Sequence, residues 1–257
     1  MNTLIRTMLY ATLLFASTAG AAEIRVAVAS NFAGTAEVLA DRFEEISGHE
    51  VVLAFGSTGK HYAQIKNGAP FDAFFAADAA RPRLLEEEGI AVPGSRFTYA
   101  VGRLVLWSQR EGFVDEHGAV LENGEYDFLA ITNPKFAPYG AAAQEVLEKL
   151  GLWERLAGRL VSGENIGQTI QFVITGSAEL GFVALSQVAQ PGRPLGGSYW
   201  EVPQNMYEPL EQQAVLLEEN EAAAAFLDFV KSDEGRSIIR SYGYTIPNES
   251  EKKTTDE

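Results

Sequence analysis

"EIRVAVASNFAGTAEVLADRFEEISGHEVVLAFGSTGK", residues 23–60, holds the fold in miniature. Residues 23–30 form a short apolar run of strand type. In the segment that follows, Phe32, Ala36, Leu39, Phe43 and Ile46 recur at helical spacing, and Gly48 supplies the stop. "EVVLAF" (50–55) is a second strand. Gly-Ser-Thr-Gly-Lys then opens a short helix that Asn67-Gly68 closes. Strands alternating with helices predict a parallel α/β sheet. The Gly-Ser-Thr-Gly-Lys turn looks like a phosphate loop but does not satisfy G-x-x-x-x-G-K-[ST]. Ala54 stands at the first glycine position and His61 follows Lys60. What survives is a strand, a tight turn and a helix start, and a helix start is by itself an anion site.

The same alternation continues. "FDAFFAAD" (71–78) reads as a buried strand, followed by a helix that Asp78 is placed to cap. A second block begins with a strand over 102–108. "YDFLAITNP" holds another strand, and the helix "YGAAAQEVLEKLG" ends at Gly151. "RLVSG" leads into the helical "ENIGQTIQFVITG", which ends at Gly176, and then into a strand over 179–186. A turn-rich connection (191–197) precedes the strand "YWEVP". "QQAVLL" then leads into one alanine-rich helix, "ENEAAAAFLDFVKSDEGRSIIRSYG". The polar tail, 248–257, reads as disordered. Two α/β blocks predict two lobes with a cleft between them, and ligands of open α/β sheets sit outside the carboxyl ends of the strands.

Composition narrows the function. The 257 residues are 46% hydrophobic and 21% charged, with a net charge of −15. Such a surface repels phosphate backbones, which argues against nucleic acid as a partner. It also provides no long-range attraction for anions, so a bound anion must be held by local dipoles. Residues 1–22 read as a secretory signal peptide. Arg6 precedes an apolar run from Met8 to Ala16, and the small residues Ala19, Ala21 and Ala22 follow. The run is shorter than the ~20 residues a membrane span needs. There is no Cys, hence no disulfide and no lipidated cysteine. The expectation is a soluble, unanchored protein of an envelope compartment.

Several motifs admit two readings. Ser57-Thr-Gly-Lys60 matches the S-x-x-K of penicillin-recognising acyl enzymes, but their partner motifs are represented only by "SDE" at 232 and "KTT" at 253. Ser57 and Ser30 each stand where an N-cap is expected, and on adjacent parallel strands they would also present two hydroxyls side by side. Asn133–Gly140, with Pro138 suited to a first helical turn, and Gly163–Gln168 are ordinary strand-to-helix turns or two further anion-binding starts. His49, His61 and His117 are scattered without Cys partners, which argues against zinc. Asp72 and Asp78 read as a strand start and a cap. Trp107, Trp153 and Trp200 read as core or lobe-face residues.

The ordered set of motifs resembles the molybdate-binding periplasmic component of an ABC transporter. It runs from "VAVASNFAGTAEVLADRF" through "AFGSTGKHYAQI", "ITNPKFAPYGAAAQEVLEKLG" and "GENIGQTIQFVITGSAELGFVALS" to "SDEGRSIIRSYGY". The resemblance implies a two-lobed type II periplasmic binding protein, each lobe a mostly parallel sheet flanked by helices. Lobe 1 would span 23–101 and 207–247, and lobe 2 would span 102–206. It implies high-affinity capture of molybdate or tungstate in the cleft, delivery to a membrane permease, a periplasmic monomer, no enzymatic activity and no cofactor. A sulfate or other oxyanion receptor of the same fold, and more remotely the S-x-x-K enzyme, remain as alternatives. By resemblance, Ser30 and Ser57 supply hydroxyls and main-chain N–H groups, and Asn31, Tyr139 and Ile166 supply main-chain N–H groups. No metal ion is ligated directly. Many members carry a ligand tyrosine where this chain has Ala184, so the Tyr139 hydroxyl is a further candidate. Lys60 is expected in solvent. A fully deprotonated oxyanion asks for donors only, whereas phosphate near neutral pH keeps a proton and wants an acceptor.

Overall fold

The computed structural model describes residues 21–189, 191–192 and 196–247. Residues 1–20 of the signal peptide expected over 1–22, the tail at 248–257 and the middle of the 191–197 connection lie outside those residues. The first half runs β1 (Glu23–Ala29), a 3₁₀ turn (Ser30–Phe32), α1 (Ala33–Ser47), β2 (Glu50–Gly56), α2 (Thr58–Lys66), β3 (Ala73–Phe75), α3 (Ala80–Glu87) and β4 (Phe97–Gly102). The second half holds β5 (Leu104–Ser108), α4 (Val120–Asn123), β6 (Leu129–Thr132), α5 (Pro138–Lys149) and α6 (Trp153–Leu156). It continues with β7 (Leu160–Gly163), α7 (Ile166–Ile174), β8 (Leu180–Ala184), α8 (Leu185–Val188) and β9 (Ser198–Glu201). The chain then returns through β10 (Leu210–Leu216), α9 (Glu221–Lys231) and α10 (Asp233–Ser241).

Two five-stranded sheets result, ordered β2-β1-β3-β10-β4 and β7-β6-β8-β5-β9. Each is mixed rather than mostly parallel. β2-β1-β3 and β7-β6-β8 are parallel, while β10 runs antiparallel to both β3 and β4, and β5 to both β8 and β9. The antiparallel strands flank the points where the chain changes lobe, from Gly102 to Leu104 and from β9 back to β10. Arg103 pins the first crossing, donating to the Gly243 carbonyl at 3.1 and 3.2 Å and to Glu201 at 2.8 Å. The strand expected over 102–108 therefore divides. Gly102 closes a strand of the first sheet, and residues 104–108 belong to the second.

Local chemistry explains most boundaries. Gly48 ends α1 in the left-handed region at φ 73°. Asp78 accepts from the Arg81 amide at 2.9 Å, which tethers the start of α3. The alanine-rich C-terminal segment is two helices, because the Ser232 hydroxyl caps a new start by accepting from the Gly235 amide at 3.1 Å. In α1, Ala36, Leu39, Ala40 and Phe43 are buried, while Ile46 is exposed in the last turn. Phe32 packs against Phe75, Tyr99 and Tyr244, the Tyr99 ring centroid only 4.6 Å away, and so anchors the turn after β1 in the lobe-1 core. Trp107 and Trp200 are buried in lobe 2.

Candidate functional site

Strand register places the four expected turns. β1 and β2 are neighbours with Ala29 opposite Gly56, so Ser30 and Ser57 leave adjacent strand ends side by side. In the other lobe, β6 and β7 pair with Thr132 opposite Gly163, and the α5 and α7 starts follow. The "PYG" glycine lets α5 approach β6. A Cβ at Gly140 would collide with the Thr132 carbonyl. The turns meet at a cavity of ≈ 10 Å³ lined by Ser30, Asn31, Ser57, Thr58, Tyr139 and Ile166, with only Ala, Gly and Pro besides. All five residues singled out from sequence are thus brought together, and no charged side chain lines the cavity.

Ser57 occupies the N-cap position of α2 in an extended conformation, yet its hydroxyl makes no capping bond. It is 3% exposed, and its Oγ has no hydrogen-bond partner. The simple capping reading is therefore wrong. A hydroxyl buried without a partner costs about 1–3 kcal/mol. Thr35 Oγ1 and His61 Nε2 share that state among the described residues, but neither residue lines the cavity. Ser30 is not an N-cap either; Ala29 holds that position. The Ser30 Oγ reaches across the cleft instead, donating to Asn165 Oδ1 at 3.2 Å and accepting from the Gly167 amide at 3.3 Å. Asn165 itself caps α7 through the Gln168 amide at 3.0 Å. The Thr58 hydroxyl is committed to the Ala77 amide at 3.0 Å.

The Asn31 side-chain amide is committed within the protein, donating to Gln212 Oε1 at 2.8 Å and to the Tyr244 hydroxyl at 3.0 Å. Tyr139 and Ile166 lie in the first turns of α5 and α7, where helix geometry leaves amides without intrahelical acceptors. Each start also carries the positive end of a helix dipole. The Tyr139 hydroxyl accepts from Gln212 Nε2 at 3.2 Å. Burial, with Tyr244 and Tyr207 nearby, holds this phenol well above its usual range, so it keeps its proton. Ala184 is buried in the lobe-2 core and does not line the cavity.

Contacts across the cleft bring the lobes together. The Gly59 amide donates to the Phe136 carbonyl at 2.8 Å, and the Ser186 hydroxyl to the Asn31 carbonyl at 2.9 Å. Lys60, expected in solvent, forms an ion pair with Glu164 of the facing turn. The Ser57 hydroxyl has no hydrogen-bond partner, so it lacks the lysine contact that would activate it in an S-x-x-K enzyme. Outside the cavity, and sharing Ala77, Ala137 and Pro138 with it, lies a groove of ≈ 500 Å³ where Arg81 is paired with Asp78. Sequence reasoning missed Gln212, Asn165 and Ser186. The one available signal was a pair of adjacent glutamines, Gln212 and Gln213, running straight into the apolar end of their strand.

The family profile described as bacterial extracellular solute-binding protein matches residues 24–245. The chain is 53% identical over 236 residues to the molybdate-binding protein ModA of Azotobacter vinelandii, covering 91% of this chain and 94% of that one. It is 52% identical over 229 residues to ModA of Rhodobacter capsulatus, covering 88% and 89%. Its fold is similar to the solved periplasmic molybdate-binding protein of Azotobacter vinelandii, with a TM-score of 0.85 at 45% identity over 88% of this chain and 100% of that one.

Proposed function

The chain belongs to the bacterial extracellular solute-binding proteins, and from that premise we infer that it captures molybdate between its lobes for delivery to the membrane permease of an ABC importer. The observation that carries the reading is the Ser57 hydroxyl, buried and unpartnered at a cavity lined by donors and no charges. A dianion without protons is the complement of such a set. The Ser57 hydroxyl donates to its oxygens, the Ser30 hydroxyl does so by exchanging its Asn165 acceptor for the ligand, and the main-chain N–H groups of Ser30, Asn31, Ser57, Tyr139 and Ile166 complete the set. No side chain ligates the metal centre directly. Tungstate, of nearly the same size and charge, is bound as well.

The cavity is small, and the Gly59–Phe136 and Ser30–Asn165 bonds tie its two sides together. Entry of a tetrahedral oxyanion therefore requires the lobes to part. The crossings near Arg103 and between β9 and β10 serve as the hinge between the lobes expected at 23–101 with 207–247 and at 102–206, the first boundary moving to Arg103 because Gly102 pairs with Leu210 in the first sheet. The protein acts in the periplasm as a monomeric receptor, without cofactor or catalysis, after removal of the N-terminal segment. No described helix is long and apolar enough to cross a membrane.

The test is an oxyanion thermal-shift series on the mature chain. Ligand at about 1,000 times its dissociation constant adds ~4 kcal/mol. At this length that raises Tm by about 8–16 °C. Molybdate and tungstate are expected to do so, with sulfate and phosphate near baseline. An equal response to sulfate reduces the assignment to a general oxyanion receptor.

A further inference from the structure

Gln212 lies fully buried in β10, where the β10–β4 ladder slips by one residue. Gln212 pairs with Ala100 and Gln213 with Thr98, so Tyr99 is the extra residue of a bulge. Bulges beside functional sites re-aim side chains. Here the Gln212 Oε1 accepts from Asn31 Nδ2 at 2.8 Å and from the Tyr99 hydroxyl at 3.0 Å, while Nε2 donates to the Tyr139 hydroxyl at 3.2 Å. One amide joins a cavity-lining turn of each lobe to the strand that leads into the hinge. The Tyr139 hydroxyl lies directly over Gly102, the last residue before the crossing, and a Cβ there would collide with it.

Asn31 is fixed from other sides as well. Its carbonyl accepts from the Tyr244 hydroxyl at 2.8 Å and from Ser186 Oγ at 2.9 Å. A buried amide in mid-sheet is costly unless its groups are bonded, and an aliphatic residue would fill the space at less risk. Packing alone is therefore a poor account of a glutamine at this position.

We propose that Gln212 is a positioning residue for ligand capture, one that aligns the Asn31 and Tyr139 turns and couples their approach to closure at the hinge. The proposal rests on the molybdate reading above. When the lobes part, Tyr139 leaves with lobe 2 and the bond to Nε2 is lost. When they meet, the same bond forms with both turns in register.

The test measures the molybdate dissociation rate and Kd for the wild type, Gln212→Met, Tyr139→Phe and the double variant, all far below their melting temperatures. Each single change is expected to speed dissociation about tenfold, the value of one buried hydrogen-bonded pair. The double variant should be no worse than Gln212→Met alone, because Tyr139 acts through Gln212. A merely structural role lowers the apo melting temperature but leaves dissociation from the folded protein unchanged. Rates within twofold of wild type, or singles that multiply to about a hundredfold in the double variant, overturn the proposal. If Gln212→Met does not fold, Tyr99→Phe removes one donor to the amide without touching a cavity-lining residue. A threefold or larger rise in dissociation rate then supports the proposal, and an unchanged rate overturns it. A wild-type protein indifferent to molybdate overturns the ligand assignment itself and needs no variant to show it.

Discussion

Ser57 stands at a helix start, has the side chain that helix starts favour, and does not use it for capping. A Ser cap replaced by Ala costs about 1 kcal/mol. Here no capping bond exists to lose, and the change removes an unpartnered buried oxygen. Ser57→Ala is therefore expected to leave apo stability unchanged or up to about 1 kcal/mol higher, while costing roughly 1.5–3 kcal/mol in molybdate affinity. Urea melts of the apo protein and calorimetric titrations on one variant give both numbers. A loss of apo stability with intact affinity would return Ser57 to an ordinary cap. At this scale the cavity-lining residues were legible because each follows a strand and opens a helix, a local pattern. Gln212, Ser186 and Asn165 were not, because their partners lie 181, 155 and 135 residues away in the chain.

Helix α2 shows what an element adds to its residues. It carries Ser57 at its start and turns His61 inward beneath the same turn, where a Cβ at Gly56 would come within 2.7 Å of His61 Nε2. Burial lowers the His61 pKa, opposed by the hydrogen bond between Nδ1 and Gln64 Oε1 at 3.1 Å, and Phe71 and Phe74 stand edge-on to the ring. The folded state thus prefers the neutral ring, while the unfolded chain takes up the proton near pH ~6.5. Stability is full above that value and declines as pH falls below it. Apo wild type is expected to lose urea resistance between pH 7.5 and 5.5, and His61→Gln to lose less. Equal losses would show that His61 carries none of the effect. Elements were legible where periodicity was strong, as in α1, α5 and α7. Periodicity carried straight through Ser232, where a single hydroxyl restarts the helix. It missed β4, whose "FTYAVG" has little alternation and pairs only with a strand more than a hundred residues later.

On the scale of the whole molecule, the proposed capture requires two lobes that part and meet, and it is testable at the points where they touch. Gly59, in the first turn of α2, is one such point. Its amide donates to the Phe136 carbonyl of the other lobe, and an added Cβ would come within 2.9 Å of that oxygen and 3.1 Å of the Phe136 Cα. Both atoms are backbone, so relief requires the lobes to stand further apart. In the separated state the same methyl group meets no such obstacle. Gly59→Ala also replaces the poorer helix former by the better one, which favours α2 by up to ~1 kcal/mol. The two effects have opposite signs in two measurements. Apo Tm is expected to hold or rise, while overpacking of the closed interface by about 1–3 kcal/mol weakens molybdate roughly 5- to 150-fold. Small-angle scattering of the molybdate-saturated variant should show a larger radius of gyration than saturated wild type. The Lys60–Glu164 ion pair crosses the cleft nearby but is half exposed, and such pairs contribute little. If Gly59→Ala binds as tightly as wild type, closure does not bring these backbones into contact in solution, and the interlobe geometry that assembles the cavity is not the one that holds the ligand.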